Sequence, residues 1–236
     1  MQEGQHQMMG YDRASTMFSP DGRLLQVEYA KEAVKQGSTA VGCVCKDGVV
    51  IVADKRVVDK LIVSDSVEKI FQIDEHIGAT ATGYVMDGRV LIERAQVISQ
   101  QHRVTYTVPI ETKTLVKEIC DLKQSYTQYG GARPFGVSLL MVGVDDTQPV
   151  LYVTEPTGIF FEYVATAVGE GADAAKEILR KEYDESITIE DGIKLCVKAL
   201  KRVLAKDFDP KRLDGAYIDV KDKKFTPIDK KKFKGA

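Results

Sequence analysis

Tryptophan is absent from this chain of 236 residues, and cysteine and histidine are scarce, with four and three copies respectively. The histidines His6, His76 and His102 are far apart, and none has a cysteine or a second histidine at the spacing of a metal-binding motif. Cys43 and Cys45 lie two apart in a strand-like run, form no C-x-x-C motif and are expected to point to opposite faces. We therefore expect no metal site and no cofactor, and we expect all four cysteines to be small buried residues.

An excess of charge of either sign is also missing, because 33 lysines and arginines balance 35 aspartates and glutamates. This balance provides no global positive field for nucleic acid and is not typical of a disordered chain. No apolar run approaches the roughly 20 residues that cross a bilayer, and the polar segment 1–11 lacks the apolar region of a signal peptide. We expect a cytoplasmic protein that binds neither membranes nor nucleic acid.

Strands and helices are predicted in blocks. Apolar residues recur at helical spacing over about 24–36 and stop at Gly37, and β-rich runs, two helical patterns, further strands and two more helices follow. The predicted strands lie at 39–45, 49–53, 69–73, 77–82, 137–144, 150–154, 159–163 and 216–220. This grouping favours an α+β fold of layered sheets covered by helix pairs over a doubly wound parallel sheet.

One domain is predicted, with a distinct segment at each end. Residues 1–12 have no clear period and are interpreted as a mobile extension. Residues 13–236 form a single predicted domain that ends in a Lys-rich tail over about 221–236. Such a tail can bind nucleic acid, but Asp222 and Asp229 dilute its charge, so a solvated tail is the favoured interpretation.

The run 169–174 fits the pyrophosphate-binding pattern G-x-G-x-x-A at a strand-to-helix step. The helix after it leads to another helix, and no parallel strand with a ribose-binding acid follows. A tight turn with close helix packing is therefore favoured over dinucleotide binding.

Residues around the first strands carry a family resemblance. They are Gly37-Ser38-Thr39-Ala40-Val41-Gly42, Asp54 with Arg56, and Lys69 ahead of Ile70-Phe71-Gln72-Ile73-Asp74. Together they resemble the core of N-terminal-nucleophile hydrolases of the proteasome type. In active β subunits of that family a threonine stands where Ser38 stands, an acidic residue matches Asp54 and a lysine matches Lys69. The nucleophile's own α-amine is the base, so the chain must be cut just before it.

Longer motifs resemble the α subunits of that family. They are Tyr11-Asp12-Arg13, Phe18-Ser19-Pro20-Asp21-Gly22-Arg23-Leu24, Gln26-Val27-Glu28-Tyr29-Ala30 and Tyr129-Gly130-Gly131-Ala132-Arg133-Pro134-Phe135-Gly136-Val137-Ser138. The resemblance covers Tyr11 to about Val220 and is strongest to the archaeal type, in which one α subunit forms the whole ring. It implies a four-layer αββα sandwich of two antiparallel sheets flanked by helix pairs, with an extra N-terminal helix, in homo-heptameric rings at the ends of a barrel-shaped protease.

The resemblance also implies roles for particular residues. Segment 1–12 would gate an axial pore, and four residues match the cluster that locks the open gate: Tyr11, Asp12, Pro20 and Tyr29. Three residues match the pocket between α subunits that takes the C-terminal tail of an AAA ATPase activator: Lys69, Gly37 and Glu28. The loop that narrows the inner pore matches Tyr129, Gly130, Gly131 and Ala132. The implied partners are proteasome β subunits, which carry out proteolysis, and unfolded protein substrates.

Other interpretations of these residues stay open. Lys69 could form a structural salt bridge to Glu68 or Asp54, and the two gate tyrosines could merely cover the helix. Ser38 cannot be a free-amine base while its nitrogen is bonded to Gly37, so no catalytic residue is expected. Because Gly37-Ser38 resembles a Gly-Thr processing junction, a self-processed amidohydrolase with Ser38 as nucleophile is the alternative function.

Overall fold

The computed structural model describes residues 10–57 and 61–234. In those residues the helices are α1 (Leu25–Lys35), α2 (Val85–Tyr106), α3 (Thr112–Tyr126), α4 (Ala172–Glu182) and α5 (Ile189–Leu204). The strands are β1 (Ala40–Cys45), β2 (Gly48–Asp54), β3 (Ile70–Asp74), β4 (Ile77–Gly83), β5 (Val137–Asp145), β6 (Gln148–Thr154), β7 (Phe160–Glu162), β8 (Ala165–Val168), β9 (Leu213–Asp219) and β10 (Phe225–Pro227). No helix in this part of the chain is long and apolar enough to cross a membrane.

The strands form two antiparallel sheets of five strands each. The first sheet has the order β10-β9-β2-β1-β8, and the second has the order β3-β4-β5-β6-β7. β1 and β2 form a tight hairpin in which Ala40 pairs with Ala53 and Cys45 pairs with Gly48. In the second sheet the strands lie in sequence order, as short connections favour, whereas the first sheet also pairs β1 with β8 and β2 with β9, which are far apart in sequence.

Three apolar layers hold the sandwich together. One lies between the two sheets, one between the first sheet and helices α4 and α5, and one between the second sheet and helices α2 and α3. In β2, Val50 and Val52 face the helices, whereas Val49, Ile51 and Ala53 face the second sheet. Strands buried on both faces need apolar residues at every position, which explains their continuous apolar runs. The predicted four-layer αββα sandwich is confirmed.

The predicted N-terminal helix is confirmed as α1, which packs on β4 and β5. Leu25, Val27 and Ala30 are buried on its inner side. Gly37 follows the helix at a point where the backbones nearly touch. A Cβ atom at this position would lie 2.3 Å from the amide nitrogen of Gly83, so any side chain would push α1 away from β4.

The sequence patterns missed two strands. The single strand predicted at 159–163 is in fact followed by a second one, because the chain leaves β7 in the second sheet and enters the first sheet as β8, beside β1. β10 lies within the Lys-rich tail and pairs with β9. Ile228 and Phe233 are only 6% and 1% exposed. The expectation of a solvated tail is therefore wrong for this stretch, because apolar residues between the lysines anchor it to the first sheet.

The four cysteines are buried free thiols. The expectation that Cys43 and Cys45 point to opposite faces is wrong, because residues two apart in a strand share a face. Their sulfur atoms lie 4.0 Å apart, and that of Cys196 on α5 lies 3.7 Å from Cys43. The hydrogen bond between Cys43 and Cys196, together with burial, raises the pKa of Cys43 well above its ordinary value, so this thiol stays protonated. No cluster in the described ranges could hold a metal ion.

Lys123 on α3 is a fully buried amine that the helical pattern did not predict. Its Nζ donates to the carbonyl of Val137 and to the hydroxyl of Thr154, both at 2.9 Å. Burial lowers the pKa of Lys123 to about 7. These bonds join the end of α3 to β5 and β6, and so fix the start of the loop that follows α3.

Candidate functional site

The segments that carry the family resemblance meet at the α1–β1 junction, residues 36–39. The amide of Glu170 donates to the carbonyl of Gly37 at 2.8 Å, and the hydroxyl of Thr39 donates to the carbonyl of Glu170. Thr82 donates its hydroxyl to the carbonyl of Ser38 at 3.3 Å. A Cβ at Gly169 would lie 2.6 Å from that same carbonyl oxygen, so close backbone packing accounts for this glycine of the run 169–174.

Ser38 lies in the middle of a continuous, folded chain. Its nitrogen is an amide that follows Gly37, directly after α1, and the apolar side of α1 is buried against the sandwich. An N-terminal nucleophile needs a free α-amine as its base. Ser38 therefore cannot act as such a nucleophile in the intact chain.

Asp54 is committed to a structural ion pair. Its carboxylate is 2% exposed and accepts two hydrogen bonds from Arg212, from Nε at 3.0 Å and from Nη2 at 2.8 Å. The amide of Arg56 donates a third, at 3.1 Å. A buried carboxylate with a two-point guanidinium partner is held firmly in place. Asp54 thus ties the end of β2 to the start of β9.

Lys69 lies directly before β3. Its ammonium donates to the carbonyl of Ala81 on β4, and its amide donates to Asp214 at 3.3 Å. Burial lowers the pKa of Lys69 to about 8, Asp54 opposes this shift, and the positive charge of Arg56 adds to it. No ion pair joins the ammonium to Glu68 or Asp54 in the described residues, so the salt-bridge alternative is not supported.

Two of the three predicted pocket residues, Gly37 and Lys69, lie against neighbouring residues at the end of β4. Gly37 contacts Thr82 and Gly83, which directly follow the carbonyl that binds Lys69. Glu28 instead lies on the exposed side of α1, where its carboxylate is 3.7 Å from the ammonium of Lys31. Within residues 10–57 and 61–234, no contact joins Glu28 to Lys69.

The predicted gate residues lie along the entry to α1, and residues 1–9 of the gate segment are outside the described residues. Tyr11 and Asp12 are half-buried, whereas Pro20 and Tyr29 are exposed. The side-chain amide of Gln26 on α1 donates to the carbonyl of Asp12 at 2.6 Å. Pro20 lies in the predicted turn, which is confirmed by the 2.8 Å bond from the amide of Gly22 to the carbonyl of Ser19.

The predicted pore loop, residues 129–132, is an exposed turn after α3. Tyr129 is 63% exposed. Gly131 has a φ of +85°, a backbone conformation that is unfavourable for residues with a side chain. The hydroxyl of Ser15 donates to the carbonyl of Tyr129 at 3.4 Å, so the loop contacts the chain that leads from the gate segment. Behind the loop, Arg133 binds both carboxylate oxygens of Asp87, at 2.6 and 2.7 Å, which anchors it to α2.

Three residues of this site were not predicted: Gln26, Glu170 and Arg212. Gln26 lies inside a quoted motif, but nothing in its spacing indicates that it would bind Asp12. Glu170 contacts the junction and Arg212 contacts Asp54, each from more than a hundred residues away in sequence. No local sequence pattern predicts such long-range contacts.

Comparison with known proteins covers nearly the whole chain. The family model described as "Proteasome subunit" matches residues 34–218, and the model of the N-terminal signature of A-type proteasome subunits matches residues 11–33. A relative from Archaeoglobus fulgidus named "Proteasome subunit alpha" is 51% identical over 226 residues, 96% of this chain and 92% of the relative. Relatives of the same name from Thermococcus sibiricus and Methanocaldococcus jannaschii are 52% and 50% identical, over 93% and 92% of this chain and 84% and 83% of the relatives.

Proposed function

This chain belongs to the proteasome subunit family, as a non-catalytic α subunit of the 20S core, and from that premise we propose that it forms a gated docking ring. Seven copies form each outer ring on a ring of β subunits, which carry out threonine-type proteolysis. The ring admits unfolded polypeptide and binds the C-terminal tails of an AAA ATPase. The particle works in the cytoplasm.

The observation that carries the non-catalytic role is the position of α1. This helix is packed on β4 and β5 directly before Ser38, so removal of residues 1–37 would expose the apolar surface that Leu25, Val27 and Ala30 now cover. Asp54 and Lys69 are bound to Arg212 and to the carbonyl of Ala81. The self-processed amidohydrolase would need Ser38 to be freed, and these contacts argue against it.

The length of the gate segment and two contacts support the gating role. Twelve extended residues reach at most about 40 Å, enough to obstruct a pore shared by several copies. The bond from Gln26 to the carbonyl of Asp12 holds the base of the gate segment on α1. The bond from Ser15 to the carbonyl of Tyr129 connects the same region to the pore loop. A small change at α1 can therefore be passed to both parts of the pore.

The chemistry of Lys69 supports the docking role. An ammonium has three N–H donors, and the carbonyl of Ala81 accepts one of them. The remaining two can receive a terminal carboxylate, and the absence of a side chain at Gly37 lets a peptide backbone approach. Glu28, on the exposed side of α1, would meet the tail from the neighbouring subunit, which explains why it does not contact Lys69 within one chain.

The proposed ring is tested by size and intact mass. We expect the full-length chain to assemble into rings, and to form a larger particle when it is expressed with a β subunit. Light scattering gives the size of the assembly, and mass spectrometry gives the length of the chain. A particle whose α chain lacks residues 1–37, or a chain that stays monomeric with its β partner, would contradict the proposal.

A further inference from the structure

Arg56 has a backbone conformation that arginine rarely adopts. Its φ is +49°, in the left-handed region, and its amide donates to Asp54, which Arg212 fixes in turn. Strain of this kind persists only where the surroundings enforce it, and it is concentrated at functional positions. Here the turn after β2 brings the guanidinium to the α1–β1 junction.

The guanidinium of Arg56 contacts the two segments that flank Gly37. Nη1 donates to the carbonyl of Gln36 at 2.9 Å, and Nη2 forms an ion pair with the carboxylate of Glu170. The amide of Glu170 binds the carbonyl of Gly37. The side chains of Arg56 and Glu170 are 44% and 59% exposed, so solvent and ligands can reach the pair.

Arg56 and Lys69 border the same small region. The ammonium of Lys69 binds the carbonyl of Ala81, next to the residues of β4 that contact Gly37. Burial and the positive charge of Arg56 lower the pKa of Lys69, and the charge of Asp54 opposes this shift. Two cations near a residue without a side chain form a suitable receptor for a carboxylate at the end of a peptide.

We propose that Arg56 is a second receptor, beside Lys69, for the terminal carboxylate of a docking tail, and that Glu170 binds Arg56 while no tail is present. This inference rests on the docking function proposed above. A guanidinium can bind both oxygens of a carboxylate, and Glu170 offers it the same group from within the chain. Because exposed ion pairs contribute little stability, an incoming carboxylate can replace Glu170 at small cost. Glu170 is thus an internal competitor that sets the affinity of the pocket.

Binding of a tail peptide to the assembled particle tests this inference. The probe is a fluorescent peptide of the last ten residues of an archaeal proteasome-activating ATPase, made with a free C-terminal carboxylate and also as the C-terminal amide. We expect Glu170→Gln to bind the free acid about two- to fivefold more tightly, because the competing charge is lost. We expect Arg56→Gln to weaken that binding about tenfold, and the double variant to behave like Arg56→Gln alone.

The control variant is Glu32→Gln, which removes the same charge from an exposed ion pair with Lys35 on α1. It should leave binding unchanged. If Glu170→Gln strengthens the amide as much as the acid, or has no more effect than Glu32→Gln, the inference is wrong. If Lys69→Ala binds the acid normally, the docking function itself fails. If Lys69→Ala abolishes binding and Arg56→Gln does not weaken it, the docking function is supported and the proposed role of Arg56 is wrong.

Discussion

Replacing Lys69 with alanine is expected to abolish activator-stimulated degradation by the assembled particle while leaving the ring intact. The incoming carboxylate would lose its cationic partner in a partly desolvated cleft, a loss of about 2–5 kcal/mol, which is more than tenfold in affinity. Burial lowers the pKa of Lys69 to about 8, so the charged ammonium is costly in the free subunit. Its removal should therefore change the melting temperature little. Activator affinity and melting temperature are measured on the same preparation.

The affinity of the particle for the activator is expected to depend on pH. A bound carboxylate favours the charged amine, so affinity is highest below the pKa of the free Lys69 and falls as pH rises through about 8. Lys69→Arg stays charged over this range and should bind with a flatter pH profile and only partial affinity. Lys55→Ala is the matched control, because it removes another amine bonded to a carbonyl, that of Ser64 at 2.8 Å. Lower thermal stability with normal activator affinity in Lys69→Ala would assign this lysine a structural role instead.

Deletion of residues 2–12 is expected to accelerate hydrolysis of short peptides by the assembled particle about tenfold or more. If the open gate is a minor state of about 10% or less, removal of the segment makes every pore open. The ring contacts of residues 13–236 remain, so assembly should not change. The rate is measured with a fluorogenic tetrapeptide, first without and then with an activator.

A variant with residues 2–12 in scrambled order is the control for this deletion. It keeps the bulk of the segment but loses the residues predicted to lock the open gate, so it should stay slow and respond poorly to the activator. The combination of the deletion with Lys69→Ala should hydrolyse peptides as fast as the deletion alone, since no activator is then needed. Hydrolysis that is unchanged by the deletion would contradict the gating role of this segment.

The layers of this fold could be predicted because local signals agree with tertiary structure. Strands buried on both faces appear as apolar runs, turn residues separate them, and the helices carry apolar stripes. The boundary between β7 and β8 gave no such signal, because the chain crosses from one sheet to the other within a β-rich run. Lys123 was missed for a related reason: lysine is almost never fully buried without a partner, and its partners lie on β5 and β6.

The candidate site was predictable only where its residues lie in contiguous motifs. The turn at Pro20 and the helix α1 follow from local sequence. The ion pair of Asp54 with Arg212, and that of Arg56 with Glu170, join residues more than a hundred positions apart. The packing of the two sheets determines which residues form these pairs, and no spacing in the sequence predicts it.

In the proposed function this chain forms the ring while another chain carries out the chemistry. The most direct test is fluorogenic peptide hydrolysis by the purified chain alone, by its complex with a β subunit, and by the same complex carrying Ser38→Ala. We predict no hydrolysis by the chain alone, hydrolysis by the complex, and the same rate with Ser38→Ala. Hydrolysis by the chain alone that disappears with Ser38→Ala would contradict this prediction.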